Sequence, residues 1–384
     1  MEGRGLNFAL VGCGRISRKY AEAFTSNKLP GSRLIAVCDV KYERAKALGL
    51  RLEIPYYRCQ HEMLQSHPEI DVVNILSESG LHAEHCLDLV KYKKHMVVEK
   101  PMALTMQDAD AMIQACANAN IRLFVVKQNR YNRPVKLLMR ALEEGRFGRV
   151  FMVTARVRWA RHNEYYEQDQ WRGTYKYDGG VFANQACHYI DLIQSIMGVP
   201  DYVFARGTRV GAPIEAEDLG VAVFTNGPVI GVLEATTATR PGDLEGSLSV
   251  LGEFGSVELS GVALNEVRTW KFQSATPYDQ QVLTSSCELT DSVYGFGHTA
   301  YLADVVRALR TGEKGAVDGV EGRKTVDILS AIYESMATGK EVSVDGNYKN
   351  SLLGRESDFG VPRFSPGGGE LQKPLFVTPH SLVG

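Results

Sequence analysis

The chain has 384 residues, of which 44% are hydrophobic, and it carries 43 Lys and Arg against 45 Asp and Glu. That length suits two domains with a cleft between them, and the balanced charge excludes the basic surface of a nucleic-acid-binding protein. The seven cysteines are odd in number and include no C-x-x-C pair, which favours reduced thiols and gives no support for a metal site. Because no run of eighteen apolar residues occurs, we expect a soluble cytoplasmic protein with no membrane partner.

Short apolar runs alternate with amphipathic stretches through the first 125 residues. The runs cover residues 8–11, 34–38, 72–76, 96–98 and 123–126. Runs of this kind are typical of buried parallel strands, and their alternation with helices predicts an α/β fold. We therefore expect a Rossmann dinucleotide-binding domain over residues 1–128, with its ligand crevice at the carboxyl ends of the strands.

The composition changes after residue 128, where strand-like alternation replaces the buried runs. The alternating segments cover residues 150–159, 202–209, 221–224, 229–239 and 248–259, with helices near 186–197 and 321–336. This pattern predicts an α+β substrate and oligomerisation domain over residues 129–350, built on a large, mostly antiparallel open sheet. Residues 351–384 include three consecutive glycines and predict a loose C-terminal tail.

A glycine-rich turn follows the first predicted strand and opens a helix. It reads Gly12-Cys13-Gly14-Arg15-Ile16-Ser17, and Asp39 ends the second strand about 25 residues later. Backbone N–H groups at such a helix start bind a pyrophosphate, and the carboxylate binds the adenosine ribose. The order of strand, turn, helix, strand and acid predicts NAD as the cofactor. A purely structural turn with a surface aspartate is the alternative.

The choice between NAD and NADP rests on three residues. The carboxylate of Asp39 would repel a 2′-phosphate and so favours NAD. Lys41 and Arg44 follow closely and could accept that phosphate, which keeps NADP open.

Two further segments carry candidate catalytic groups. Glu99-Lys100-Pro101 follows an apolar run, which puts a lysine at the edge of the predicted sheet and makes Lys100–Pro101 a candidate cis peptide bond. In the later segment, Asn184, His188 and Asp191 have the spacing of one helical face. The alternative for these residues is a helix N-cap at Asn184 with a merely core-facing His188. Pairing with Lys100 favours the catalytic interpretation.

These motifs resemble those of the glucose-fructose oxidoreductase and inositol dehydrogenase (Gfo/Idh/MocA) family over residues 6–345. The matching features are Gly12-x-Gly14, His82, Glu99-Lys100-Pro101, Gly179-Gly180 and His188. The resemblance implies an NAD(P)-dependent oxidoreductase in which Lys100 and His188 are catalytic. Many members carry Asp where this chain has Asn184, which shifts the proton handling to Lys100 and His188. The predicted cofactor-binding residues are Gly12, Gly14, Arg15, Ile16, Asp39, Ser77, His82, Glu99, Lys100 and Gln128.

A narrower resemblance links the chain to bacterial dehydrogenases of UDP-N-acetyl-2-amino-2-deoxyglucuronate. Its segments include Tyr165-Tyr166, Trp171-Arg172-Gly173 and residues 294–298. The resemblance implies oxidation of the C3 hydroxyl of that nucleotide sugar during synthesis of bacterial surface polysaccharide, including lipopolysaccharide O-antigen. Guanidinium groups suit the anionic diphosphate and carboxylate of such a substrate. The predicted substrate-binding residues are Lys100, Arg158, Tyr166, Trp171, Arg172, Asn184 and His188.

Alternatives remain open at this point. Either His188 or Lys100 could be the base that accepts the hydroxyl proton, with the first assignment preferred. The substrate could be another sugar or a cyclitol, and the chain could be a noncatalytic regulator that senses dinucleotides. The family resemblance also implies a homodimer or homotetramer.

Overall fold

Six parallel strands form the first of two sheets. The structure, a computed structural model, describes residues 5–285, 295, 297–315 and 317–356. The strand order of the first sheet is β3-β2-β1-β4-β5-β6, which is the doubly wound arrangement predicted above. The strands are β1 (Leu6–Val11), β2 (Ser32–Cys38), β3 (Tyr56–Tyr57), β4 (Val72–Ile75), β5 (His95–Val98) and β6 (Leu123–Val125). All five predicted strands are confirmed, and only the two-residue β3 escaped prediction because it is too short to show a pattern.

Helices cover both faces of this sheet. They are α1 (Ser17–Thr25), α2 (Tyr42–Leu52), α3 (Gln60–Ser66), α4 (His82–Leu89) and α5 (Met106–Asn118). Successive residues of β1 point to opposite faces, so that Phe8 and Leu10 enter one hydrophobic core while Ala9 and Val11 enter the other. Burial on both faces explains why the strands read as continuous apolar runs.

The second sheet has eight strands in the order β13-β12-β11-β7-β10-β9-β8-β14. Every pairing is antiparallel except that of β10 with β7, which confirms the predicted, mostly antiparallel sheet. The strands are β7 (Val150–Arg158), β8 (Tyr202–Thr208), β9 (Leu219–Asn226), β10 (Val229–Thr236), β11 (Glu245–Gly252), β12 (Gly255–Ser260), β13 (Glu266–Phe272) and β14 (Val342–Ser343).

The prediction of one continuous strand-like segment over residues 248–259 is wrong. A tight turn at Glu253 and Phe254 separates β11 from β12, which pair with each other as a hairpin. The strand β13, which pairs with β12, was also missed. Gly252 and Gly255 flank the turn, but the apolar Phe254, which is 46% exposed, made the segment read as one continuous strand.

Helices pack on one face of the second sheet and leave the other face open. The remaining helices are α6 (Arg133–Glu143), α7 (Asn163–Glu167), α8 (Val181–Asn184), α9 (Cys187–Met197), α10 (Pro277–Ser285), α11 (Gly297–Thr311) and α12 (Gly319–Thr338). On β7, Val153 and Val157 are buried in the same core as Ile190 of α9, while Arg156 on the alternate face is exposed. The two helices predicted near 186–197 and 321–336 are confirmed.

The long helix α12 joins the two sheets. Its Val326 belongs to a core of the first sheet and its Ile332 to the core of the second. Asp318 caps its start by accepting a 2.9 Å hydrogen bond from the Glu321 N–H, and Gly339 ends it with φ +70°. The shared helix fixes the position of the cleft between the sheets. Among the helices of the described residues, none is long and apolar enough to span a bilayer. Most of the predicted tail, including its three glycines, lies outside the described residues.

Candidate active site

The glycine-rich turn connects β1 to α1 at the edge of the first sheet. Gly12 has φ +104°, and a Cβ there would lie 2.7 Å from the backbone of Leu76, so only glycine fits. Gly14 faces the cleft, and a Cβ at Gly14 would meet nothing within 4 Å. A side chain at position 14 would therefore project into the cleft, where a pyrophosphate can instead approach the start of α1. This geometry fits a dinucleotide.

Asp39 lies at the carboxyl end of β2 and closes one side of the turn. Its Oδ2 accepts a 2.7 Å hydrogen bond from the Cys13 N–H, and its Oδ1 accepts one of 2.7 Å from the Lys41 N–H. The side chain is buried, yet it lines the cleft. Two backbone donors thus hold the carboxylate where the adenosine ribose of a dinucleotide binds in this fold.

His82 supports the loop that carries Lys100. Its Nδ1 lies 2.8 Å from the Pro101 carbonyl oxygen and its Nε2 lies 3.1 Å from that of Ser77. Burial lowers the pKa of His82 to about 4, so the ring is neutral and donates a proton to only one of these oxygens. The contacts tie the ends of β4 and β5 together.

Lys100 follows β5 of the first sheet and reaches across the cleft to α8, which packs on the second sheet. Its Nζ donates a 2.7 Å hydrogen bond to the main-chain oxygen of Asn184, and the Lys100–Pro101 bond is cis, as expected. Behind it, Glu99 accepts hydrogen bonds from the Tyr20 hydroxyl at 3.1 Å and from the Lys100 N–H at 3.1 Å. Although burial opposes ionisation, His298 and Lys100 hold the pKa of Glu99 below its usual range. A buried carboxylate therefore supports the lysine.

His188 lies next to Gln128 at the inner end of the cleft. The Gln128 Nε2 is 3.0 Å from His188 Nε2, and no residue among those described offers a hydrogen-bond partner to His188 Nδ1. Burial first, and then the charges of Lys100 and Lys127, lower the pKa of His188 well below its usual value. The imidazole is therefore neutral near pH 7, with Nε2 accepting from the Gln128 amide and the ring proton on Nδ1.

Asp178 is a functional candidate that sequence reasoning missed. Its Oδ1 accepts a short hydrogen bond from the Asn184 side-chain amide, and its Oδ2 accepts one of 2.8 Å from the Gly173 N–H. Burial raises the pKa of Asp178 to about 6. A carboxylate is thus hydrogen-bonded to the side chain of Asn184, whose main-chain oxygen accepts from Lys100. Its position before Gly179 was the available signal in the sequence.

The structure brings most of the predicted site residues into one cleft. The lining includes all ten predicted cofactor-binding residues, and of the predicted substrate-binding residues it includes Lys100, Trp171, Arg172 and Asn184. His188 does not itself line the cleft, but it contacts Gln128, which does. Helix α8 ends at Asn184 and α9 begins at Cys187, with no side-chain cap at Ala186, so the predicted continuous face and the predicted N-cap are both wrong. Asp191 is buried against Arg130 instead.

Arg158 lies away from the cleft. Its guanidinium pairs with Glu234 at 2.6 Å and with Glu245 at 3.2 Å. The reason is the alternation along β7, which buries Val157 on the helix-covered face and turns Arg158 to the open face. The placement corrects the expectation that Arg158 lies at the substrate site.

Tyr165, rather than the predicted Tyr166, lines the cleft. The Tyr166 hydroxyl lies 2.9 Å from Thr237 Oγ1 within the second region. Arg172 lies over two rings, 4.4 Å from the centroid of Tyr165 and 4.5 Å from that of Trp171, and it donates a 2.7 Å hydrogen bond to the Tyr165 hydroxyl. The stacking holds one guanidinium in a fixed orientation at the cleft wall.

Comparison with known proteins places this site in a family. The family model described as "Oxidoreductase family, NAD-binding Rossmann fold" matches residues 6–127, and "Oxidoreductase family, C-terminal alpha/beta domain" matches residues 139–344. The chain belongs to the Gfo/Idh/MocA family. The predicted family and the predicted NAD-dependent oxidoreductase activity are thereby confirmed, with NAD as the cofactor.

Two solved structures are similar to this family member over almost their whole length. The WlbA dehydrogenase of Bordetella pertussis, solved in complex with NADH and UDP-GlcNAcA, is 37% identical, with a TM-score of 0.84 over 89% of this chain and 99% of that chain. The WlbA dehydrogenase of Chromobacterium violaceum, solved with the same two ligands, is also 37% identical, with a TM-score of 0.83 over 91% of this chain and 98% of that chain. A myo-inositol 2-dehydrogenase of Thermotoga maritima is 24% identical over 88% of this chain and 99% of that protein.

Proposed function

We propose that this protein oxidises the C3 hydroxyl of UDP-N-acetyl-2-amino-2-deoxyglucuronate (UDP-GlcNAcA) with NAD. The observation that carries the proposal is that Lys100 and Arg172 line one cleft with the glycine-rich turn, and that His188 contacts Gln128, which lines the same cleft. The two WlbA dehydrogenases solved with NADH and UDP-GlcNAcA support this substrate over others. The 3-keto product would serve the cytoplasmic synthesis of diacetamido sugars for bacterial lipopolysaccharide.

His188 is the proposed base. Its imidazole is neutral, and the nitrogen that can take a proton is Nε2, which accepts a 3.0 Å hydrogen bond from the Gln128 side-chain amide. NAD, when bound, accepts a hydride from the substrate carbon and thereby loses the positive charge of its nicotinamide. A proton arriving on His188 therefore adds a cation in a cleft that has just lost one, which offsets the repulsion that otherwise depresses the pKa of His188.

Lys100 is the proposed stabiliser of the alkoxide that develops as the hydroxyl proton leaves. Its ammonium is directed by the main-chain oxygen of Asn184, which accepts a 2.7 Å hydrogen bond from Lys100 Nζ. A preorganised cation in a partly dry cleft lowers the free energy of the developing negative charge without reorganisation. Asp178 holds Asn184 and so positions Lys100 indirectly.

Arg172 is the proposed anion-binding group. Its guanidinium lines the cleft, 4.4 Å from the ring centroid of Tyr165 and 4.5 Å from that of Trp171, and a guanidinium suits a carboxylate or a phosphate. Six other arginines of residues 129–350 do not line the cleft. They are Arg130, Arg133, Arg156, Arg158, Arg161 and Arg240.

A substrate panel tests the proposal. Purified protein with NAD is offered UDP-GlcNAcA, UDP-GlcNAc, UDP-glucuronate and myo-inositol, and NADH is followed at 340 nm. We expect kcat/KM to be highest for UDP-GlcNAcA, and mass spectrometry after borodeuteride reduction should place the deuterium at C3. Preference for myo-inositol would assign the chain to the cyclitol dehydrogenases, and tight NAD binding without turnover would favour a dinucleotide-sensing regulator.

We also propose a closed homo-oligomer, a dimer or a tetramer, formed through the open face of the second sheet. Exposed apolar residues occur on four of its strands, at Tyr202, Phe204, Val221, Ile230 and Leu251. Apolar residues in such number on one sheet face are typical of a subunit interface. Light scattering tests this expectation, and a monomer at micromolar concentration would contradict it.

A further inference from the structure

Asp169, which lies after helix α7, makes ion pairs with Lys41 and Arg44 at the start of α2. These residues lie at the end of the cleft where the adenosine of a dinucleotide binds in this fold. Its Oδ1 accepts hydrogen bonds from Lys41 Nζ at 3.0 Å and from Arg44 NH2 at 2.9 Å, and its Oδ2 lies 3.7 Å from Arg172 NH2. The Asp169 side chain is only 9% exposed. Asp169, Lys41 and Arg44 all line the cleft next to Asp39.

The two cations occupy the place where this fold distinguishes NAD from NADP. Lys41 is the N-cap of α2 and Arg44 lies in its first turn, directly after the carboxylate that binds the ribose. Basic side chains at this point usually accept the 2′-phosphate of NADP. Here the carboxylate of Asp169, about 125 residues later in the chain, accepts hydrogen bonds from both cations.

We propose that Asp169 is a specificity-determining residue that excludes NADP by occupying Lys41 and Arg44. A 2′-phosphate would have to displace the Asp169 carboxylate to reach either cation. It would also lie between two carboxylates, since Asp39 is held in place by the N–H groups of Cys13 and Lys41 and does not turn away. Selectivity then comes from a repulsive element against the wrong cofactor as well as from contacts to the right one.

The exposure of the partners indicates that the contact serves selectivity more than folding. The side chains of Lys41 and Arg44 are 56% and 37% exposed, and ion pairs of such exposed cations add little to stability. Asp169 itself is held ionised, because Arg44 and Lys41 keep its pKa below the usual range despite its burial. The negative charge is therefore present at every pH at which the enzyme would work.

The test uses adenosine fragments, so it requires neither turnover nor the sugar substrate. Binding of adenosine 2′,5′-bisphosphate and of 5′-AMP to the full chain is measured by calorimetry. We expect the wild type to bind 5′-AMP more tightly. Asp169→Asn should raise the affinity for the bisphosphate relative to 5′-AMP by at least ~10-fold, the scale of one charge-assisted contact. Arg44→Ala in the Asp169→Asn background should remove most of that gain.

Glu43→Gln is the matched control, because it removes one negative charge from the same exposed turn of α2. It should leave the affinity ratio within twofold of the wild type. A ratio unchanged by Asp169→Asn, or changed as much by Glu43→Gln, would overturn the proposal. If Asp169→Asn fails to fold by circular dichroism, the wild type alone still decides, since tighter binding of the bisphosphate than of 5′-AMP contradicts the exclusion of a 2′-phosphate.

Discussion

Lys100 Nζ donates a 2.7 Å hydrogen bond to the main-chain oxygen of Asn184, and this bond joins the two regions across the candidate active site. The lysine follows β5 of the first sheet, whereas Asn184 ends a short helix packed on the second. Because a main-chain oxygen accepts the bond, replacement of the Asn184 side chain leaves the acceptor in place. The position of the ammonium depends on the backbone, and the Asp178 carboxylate in turn holds the Asn184 side chain.

Substitution of Lys100 separates its two candidate roles. Arginine keeps the positive charge but cannot act as a base, whereas methionine loses both properties. If Lys100 stabilises an alkoxide, Lys100→Met should lower kcat by at least ~10²-fold and Lys100→Arg should retain more activity than Lys100→Met. NAD affinity, measured by calorimetry, should change little in either variant. Equal loss in both variants would instead assign Lys100 as the base.

His188 should titrate far below the usual histidine range. Because burial and the Lys100 charge lower its pKa, the neutral form persists below pH 6.5, and the acid limb of kcat/KM should not appear near that pH. His188→Gln, which keeps a hydrogen-bonding group but no basicity, should lower kcat by at least ~10²-fold. NMR titration of the His188 ring in Lys100→Met should show its pKa moved upward, toward 6.5. An unchanged pKa would show that Lys100 has no electrostatic effect on the ring.

Arg172→Lys should impair substrate binding more than chemistry. Lysine keeps the charge but loses the planar donors and the stacking on Tyr165 and Trp171. We expect KM for UDP-GlcNAcA to rise by ~10-fold or more, on the scale of a charged hydrogen bond, with a smaller change in kcat and none in the KM for NAD. Arg161→Lys is the control, since Arg161 pairs with Asp243 and does not line the cleft. Similar effects of both changes would exclude a specific role for Arg172.

Glu217 should make the fold less stable as the pH rises toward neutrality and beyond. Burial raises its pKa to about 7, so the folded state binds a proton more tightly than the unfolded chain does. The contribution of Glu217 to the free energy of unfolding is therefore fully present below about pH 4.5 and is lost as the pH rises through 7. Glu217→Gln stays neutral and should be more stable at pH 8 by up to about 3 kcal/mol, with little difference at pH 5.

The Glu217→Gln substitution is conservative in hydrogen bonding. Glu217 Oε1 accepts from the Phe182 N–H at 3.1 Å and from the Tyr333 hydroxyl at 2.9 Å, and glutamine retains that oxygen. Asp178, with its pKa raised to about 6, acts in the same direction at lower pH, so comparison between pH 6.5 and 8 isolates Glu217. The measurement is the urea midpoint at each pH, and parallel curves for both proteins would contradict the assignment.

Removal of the Asp191 carboxylate should strongly destabilise the protein. Asp191 is buried, pairs with Arg130 at 2.7 Å and lies 3.5 Å from the buried Lys127 ammonium. Asp191→Asn leaves the buried Lys127 ammonium without its compensating charge, although Arg130 keeps Glu321 at 2.9 Å, and breaking a comparable buried pair costs about 3–5 kcal/mol. The control is Glu253→Gln, which breaks a surface pair with Arg149 and should leave the urea midpoint unchanged. A similar midpoint for all three proteins would contradict this prediction.

The predictable parts of this molecule are those that depend on local pattern. The strand ends Asp39 and Lys100 and the turn at Gly12 follow from short sequence segments, because parallel strands bring their carboxyl ends to one edge. Asp169 could not be found in this way, and for Asp178 the local signal was its position before Gly179. Asp169 contacts Lys41 and Arg44, which lie about 125 residues earlier in the chain. Asp178 lies in a loop, for which the sequence shows no periodic pattern.

Side-chain direction in irregular segments was the other source of error. Tyr165 and Tyr166 are adjacent, and only the fold of the short helix α7 decides which of them lines the cleft. For Arg158 the alternation of β7 defined two faces correctly. It could not say which face is covered by helices, because both faces carry residues that tolerate partial exposure.

Helix α11 has a consequence for how the chain folds during synthesis. Its Tyr301, Leu302 and Val305 complete the core that contains Phe8 and Leu10 of the first strand. The strand β1 therefore leaves the ribosome well before α11, and its sheet is not fully covered until that helix has been synthesised. Nascent chains of intermediate length expose an apolar sheet face, and such surfaces are the ones that chaperones bind and that aggregate when unprotected.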